Sequence, residues 1–175
     1  LKTRGTLIRK TPLTETSLIV RWCTADLGIL KTVAKGARRS KSPFAGKLDL
    51  FFLCEMEIHP SKKSDLHILK ELTVERPRLA LRNTYLQTLA ASYFVRLIDR
   101  VAEAETPIPE IADLLDRGLN YLEENDADRR AVLHFEKQLV QSLGIAAQDS
   151  SPVTTISAQF GAIPSQREEL MSRLP

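Results

Sequence analysis

The chain has two cysteines in 175 residues, Cys23 and Cys54, and neither has a second cysteine at CxxC spacing. A structural zinc site needs about four soft ligands converging tetrahedrally. The three histidines, His59, His67 and His134, are too scattered to supply them, so no metal is expected, and both thiols read as buried apolar groups in strand-like segments. No apolar run reaches bilayer-spanning length, and no signal-peptide h-region follows Leu1, so the expectation is a cytoplasmic protein with no membrane partner. Signatures of catalysis are also missing: there is no nucleophile elbow, glycine-lysine phosphate loop, HExxH or paired-carboxylate motif, and a non-enzymatic protein without a cofactor is expected.

A further absence concerns charge. From Leu27 to Leu48 there is no acidic residue, while Lys31, Lys35, Arg38, Arg39, Lys41 and Lys47 all occur. Such a run calls for a counter-charge from outside the chain, and polyphosphate is the commonest supplier. A solvated charged loop is the plainer alternative for a short cluster. The net charge of +3 hides an asymmetry: residues 1–82 hold seventeen Lys/Arg against eight Asp/Glu, net +9, and residues 83–175 hold eight against fourteen, net −6. An anionic ligand belongs on the first half.

Hydrophobic content of 43% and charged content of 27% fit an ordinary globular protein. Before Pro77 the pattern has period two, and Thr6–Lys10, Thr16–Cys23, Ile29–Lys35, Lys47–His59 and Leu66–Val74 read as five strands separated by turn signals. Five strands in about eighty residues without an amphipathic helix between them suggest a small Greek-key barrel of the OB type. After Pro77 the period becomes helical. One helix is predicted over residues 78–104. A second follows Thr106-Pro107-Ile108-Pro109, and Asn125-Asp126-Ala127-Asp128 caps a third that ends at Gly144. Residues 146–163 are polar, small and aperiodic, predicting irregular surface chain, with a short last helix over 165–174. The expected organisation is a five-stranded OB-fold domain over 1–77, an all-α domain over 78–145 and an irregular tail over 146–175.

On a barrel surface, cations from neighbouring strands and loops converge into a groove that tracks a phosphate backbone. Arg9 and Lys10 close the first strand, Arg21 lies in the second and Lys31 and Lys35 in the third. Arg38, Arg39 and Lys41 occupy the loop, and Lys47 ends the acid-free run. Gly36 and Gly46 permit the positive φ that a tight loop needs. Phe44 and Phe51 are candidate stacking platforms, whereas Trp22 and Phe52 read as core. In the helical half, Arg130, His134, Lys137 and Gln141 form a polar stripe beside Val132, Phe135 and Leu139. This arrangement suits an acidic-apolar peptide from a partner protein; an ordinary solvated helix face accounts for the same residues.

Glu15-Thr16-Ser17-Leu18-Ile19-Val20, Thr24-Ala25-Asp26-Leu27-Gly28 and Ala34-Lys35-Gly36-Ala37-Arg38-Arg39-Ser40-Lys41-Ser42 resemble, in order and spacing, the N-terminal OB-fold of the bacterial RecO recombination-mediator family. The resemblance continues through Tyr93–Glu105, Leu114-Leu115 with Leu119 and Leu122, and Phe135–Gly144, covering roughly residues 5–145. It implies a non-catalytic, nucleoid-associated protein that binds single- and double-stranded DNA. Such proteins anneal complementary strands and help load recombinase onto DNA coated with single-strand-binding protein. It further implies a RecR-type partner and contact with the acidic-apolar C-terminal tail of single-strand-binding protein, and it assigns DNA contact to Lys35, Arg38, Arg39 and Lys41. Many members carry a four-cysteine zinc module after the third helix. This sequence has no cysteine beyond Cys54, so the resemblance implies no zinc here. An RNA-binding OB module, in translation or ribosome assembly, is the alternative that a basic barrel leaves open.

Overall fold

The computed structural model describes all residues, 1–175. Five strands, β1 (Lys2–Pro12), β2 (Leu18–Thr24), β3 (Gly28–Ala34), β4 (Leu53–His59) and β5 (Leu66–Arg76), close into a barrel in the order β1-β2-β3-β5-β4. All neighbours are antiparallel except β3 and β5, which run parallel. This is the OB-fold that the two-residue periodicity implies. Alternation places Val20 and Trp22 of β2 and Leu30 of β3 inside, each such side chain contributing about 1.5–3 kcal/mol through burial. The indole N–H of Trp22 does not go unmatched in that core: it donates to Thr32 Oγ1 at 2.9 Å.

The fourth strand is shorter than its alternating pattern suggests. Residues 47–52 lie outside any strand, with turns at Lys47 and at Leu50 and Phe51, Phe51 takes a left-handed φ of 74°, and pairing along β4 starts at Leu53. The turns put Leu48, Phe51 and Phe52 all into the interior, so the apolar residues there answer to a folded loop rather than to strand alternation. Phe51 N–H donates to Leu7 O, and Leu7 N–H donates to Phe52 O, both at 2.9 Å, at the β1 bulge.

Helix α1 spans Tyr85–Val101, α2 Pro109–Glu124, α3 Arg129–Ser142, α4 Pro152–Phe160 and α5 Gln166–Arg173. The first begins later than the expected Arg78. Arg78 is itself in the left-handed region (φ 48°), a 3-10 turn covers Leu79–Arg82, and the Thr84 side chain caps α1 by accepting from Gln87 N–H. The Arg78 guanidinium is fully buried and donates to Asn120 at 3.0 Å and to Asp116, both on α2. Asp128 caps α3 as its sequence position implies. The expectation of irregular chain over 146–163 is corrected by α4: Ser151 caps it, Pro152 opens it and Ile156 is buried. A nine-residue helix with one anchoring side chain carries too weak a periodicity to stand out.

By internal contacts the chain divides into one unit of residues 1–77 with 103–112 and another of residues 78–102 with 113–175. In the first, residues 103–108 lie against the β2–β3 turn: Ile29 N–H donates to Glu103 O and Ile108 N–H to Ala25 O, both at 2.9 Å. No helix is long and apolar enough to cross a membrane.

Candidate nucleic-acid interface

The basic residues of the barrel fall into an ordered row. Arg9 on β1 stands directly opposite Arg21 on β2, and Arg21 directly opposite Lys31 on β3. Since Val20 and Trp22 face inward, these three project from the outer face. Residues directly opposite across antiparallel strands have Cβ atoms about 4.5–5.5 Å apart, and like charges there are destabilising. A row of three cations on adjacent strands is a surface that suits an anion lying over it. At its β3 end Lys31 Nζ meets Asp65 Oδ2 at 2.6 Å. The hydrogen bond from Lys31, aided by its charge, holds the Asp65 carboxyl below its ordinary value.

Lys10 does not join the row, because neighbouring strand residues face opposite ways. Its ammonium bonds Leu48 O and Asp49 Oδ1, each at 3.1 Å. Lys47 is likewise tied, donating to Leu72 O at 3.2 Å.

Lys35, Arg38, Arg39 and Lys41 are all exposed in the chain of turns after β3. Gly36 has φ 67°, a left-handed conformation that lets the chain reverse there, and its N–H donates to Ser17 Oγ at 3.2 Å. Arg38 is fastened to the β1–β2 loop twice, its N–H donating to Thr16 O at 2.9 Å and its guanidinium to Thr14 O at 3.1 Å. The second bond occupies one of five guanidinium donors. The basic loop is thus held against a neighbouring loop, and Phe44, buried at 6% exposure, anchors its far side.

Phe44 and Phe51 are core residues and offer no stacking surface. With Trp22 and Phe52, every aromatic side chain of the barrel unit is buried. Outer positions of β2 and β3 beside the cation row carry Ile19 and Val33, which pair across the strands. No group of three or more His, Cys, Asp or Glu side chains converges to hold a metal.

The helical unit contains a groove of about 410 Å³ between α2 and α3. Its apolar part is Phe94, Leu114 and Phe135, the two phenyl rings stacked with centroids 3.9 Å apart. Arg117, Tyr121, Asp128, Arg130 and His134 supply the polar lining. The predicted stripe is therefore brought partly to the groove: Arg130 and His134 line it, whereas Lys137 is exposed outside that lining. Arg117, Gly118 and Tyr121 were not legible as site residues, since they come from a different helix. Gly118 held a signal. A mid-helix glycine costs about 1 kcal/mol relative to alanine, and here a Cβ would come within 3.0 Å of the Phe135 ring.

Residues 1–78 match the family model described as "Recombination protein O N terminal", and residues 82–169 match "Recombination protein O C terminal". Similar curated proteins include the "DNA repair protein RecO" of Rhodopirellula baltica, 30% identical over 79% of this chain and 51% of that protein. Those of Syntrophus aciditrophicus (29%; 83% of this chain, 56% of that protein) and Actinobacillus succinogenes (34%; 81% and 58%) carry the same name. The chain spans little more than half the length of these relatives. With two family models matched in succession along a barrel followed by helices, the chain belongs to the RecO family.

Proposed function

We propose that this chain is a DNA-binding mediator of recombinational repair, whose barrel holds the nucleic-acid backbone and whose helical unit recognises a protein partner. The observation that carries the reading is the Arg9–Arg21–Lys31 row, three cations in direct cross-strand register on one outer face. The basic loop of Lys35, Arg38, Arg39 and Lys41 supplies further donors. With every barrel aromatic buried, binding rests on phosphate contact rather than on base stacking. Such binding tolerates any sequence, as strand annealing and recombinase loading on coated DNA require. The relatives' name, DNA repair protein RecO, favours DNA over RNA as the ligand.

The groove between α2 and α3 supports the second half of the proposal. Arg117, Arg130 and His134 around a floor of Phe94, Leu114 and Phe135 complement a peptide ending in carboxylates and a bulky apolar residue, the chemistry of the single-strand-binding protein tail. A RecR-type partner belongs to the same reading by family membership.

The deciding experiment compares binding of labelled single-stranded DNA, RNA of the same sequence and a DNA duplex. Comparable affinity for both DNA forms, with weaker RNA binding, supports the reading; preference for RNA, or no binding to any of the three, overturns it.

A further inference from the structure

His67 joins two parts of the barrel unit that are far apart in sequence. It is the second residue of β5, in register with Thr32 of β3, and its side chain is only 10% exposed. One ring nitrogen, Nδ1, accepts the Ser61 N–H of the β4–β5 loop at 3.0 Å. The other, Nε2, lies 3.3 Å from Glu105 Oε1, in the segment that leads from α1 to α2.

A backbone N–H can only donate, so Nδ1 is the unprotonated nitrogen of the neutral ring. The ring's one proton is then on Nε2, where it faces the Glu105 carboxylate. Each end of this bridge holds more than itself. Ser61 Oγ accepts the N–H groups of Lys63 and Ser64, each at 3.2 Å, so the position of Ser61 fixes the turn over residues 61–64. Glu105 has a left-handed φ of 55°, a conformation that persists in a non-glycine residue only where its surroundings hold it.

Protonation makes both ring nitrogens donors. Nδ1–H then meets the Ser61 N–H, donor against donor, and that bond is lost. The Nε2 contact survives and becomes an ion pair. We propose that His67 is a pH-operated latch: neutral, it ties the β4–β5 turn to the 103–108 segment; protonated, it releases the turn at Ser61 and keeps the segment at Glu105. Three titratable groups surround the ring. Glu105 comes from the 103–108 segment, and Asp65, two residues before His67, is bound to Lys31 at 2.6 Å. His59 on β4 stands opposite Ile68. From β3 the neighbour is the neutral Thr32, whose hydroxyl accepts from the Trp22 indole. Two carboxylates thus supply counter-charge to the imidazolium. The Lys31–Asp65 pair confines the release to the turn before β5.

The test follows the isotope-labelled whole chain by NMR from about pH 8 to pH 5, the interval in which histidine changes charge. At the alkaline end the His67 ring should carry its proton on Nε2. On acidification the Ser61 amide proton should move upfield, toward the position of a water-bonded amide, with the same midpoint as the His67 ring signals. Its exchange with water, normalised to the intrinsic rate at each pH, should quicken about two- to tenfold, the loss of one hydrogen bond. The Ile29 and Ile108 amides, which bond across the 103–108 segment, should keep their protection. In His67→Asn the side-chain oxygen takes the place of Nδ1 and cannot titrate, so the Ser61 signal should stay constant. Glu105→Gln keeps an acceptor for Nε2–H but removes the counter-ion, and should move the Ser61 transition to more acid pH. A proton on Nδ1 at the alkaline end, a His67 ring that stays neutral throughout, or a Ser61 amide that stays bonded while the ring titrates overturns the latch. A full wild-type Ser61 shift in His67→Asn would belong to His59 and overturns it equally. Loss of Ile108 protection in acid overturns the retained hold on the 103–108 segment.

Discussion

The guanidinium of Arg167 on α5 grips the carboxylate of Glu136 on α3 through two hydrogen bonds, 2.6 Å from Nε and 3.1 Å from Nη2. Tyr93 Oη of α1 donates to the same carboxylate at 2.7 Å. Glu136 has no exposed surface, so three helices share one buried charge. Removing Arg167 leaves that charge without its counter-ion. Arg167→Ala should destabilise the protein by about 3–5 kcal/mol, whereas Arg173→Ala, which removes an exposed pair with Glu169, should cost no more than about 1 kcal/mol. Urea unfolding of the two variants makes the comparison.

Tyr93 gives the same cluster an alkaline limit. Burial, reinforced by the charge and hydrogen bond of Glu136, pushes its phenol far above the ordinary value of 10.0. A folded-state value raised above the unfolded one means that stability is complete below about pH 10 and falls as pH rises further, by about 1.4 kcal/mol per unit. Unfolding measured from pH 8 to 11 should show this decline. In Tyr93→Phe, the contribution should vanish, after an initial loss of about 1.5–3 kcal/mol for a hydrogen bond to a charged group.

DNA affinity should be electrostatic. If four to six phosphates are engaged, log K against log salt falls on single strands with a slope of about −3 to −4. Arg38→Ala with Arg39→Ala should flatten that slope by roughly one unit without unfolding the chain. Arg9→Thr should also weaken binding. A variant that loses stability but keeps its DNA affinity would count against the cation row.

For the groove in the helical unit, charge reversal at Arg117 and Arg130 should abolish capture of a fluorescent acidic-apolar tail peptide that binds the wild type at about micromolar strength, about −8.2 kcal/mol. Lys137→Glu, outside the groove lining, should have the smaller effect. DNA affinity serves as the control, and neither variant should change it by more than about twofold, since all three residues belong to the helical unit rather than to the barrel.

Gly28 opens β3 with φ 66°, and a Cβ there would lie 2.4 Å from Thr106 O and 2.5 Å from Glu103 O. Gly28→Ala combines left-handed strain with this collision and should cost about 3 kcal/mol or more. The 103–108 segment should become the first site of proteolysis, while Gly46→Ala, with no neighbouring atom within 4 Å, should pay only the backbone strain.

The sequence by itself determined the barrel, the helical half and the position of the basic loop. Each depends on local chemistry: period-two alternation around Val20 and Trp22, an Asp128 cap before an apolar stripe, and a glycine at 36 where the chain must reverse. It also overextended that logic at residues 47–52, where apolar residues in alternation belong to a turn, and at 152–160, where a helix rests on one buried isoleucine. Tertiary structure decided the rest because register and partner choice are non-local. Arg9, Arg21 and Lys31 are separated by twelve and ten residues in the chain, and only strand pairing with a bulge in β1 lines them up while turning Lys10 away. Likewise, only packing of α2 on α3 brings Arg117 to Arg130 and shows why residue 118 has no side chain.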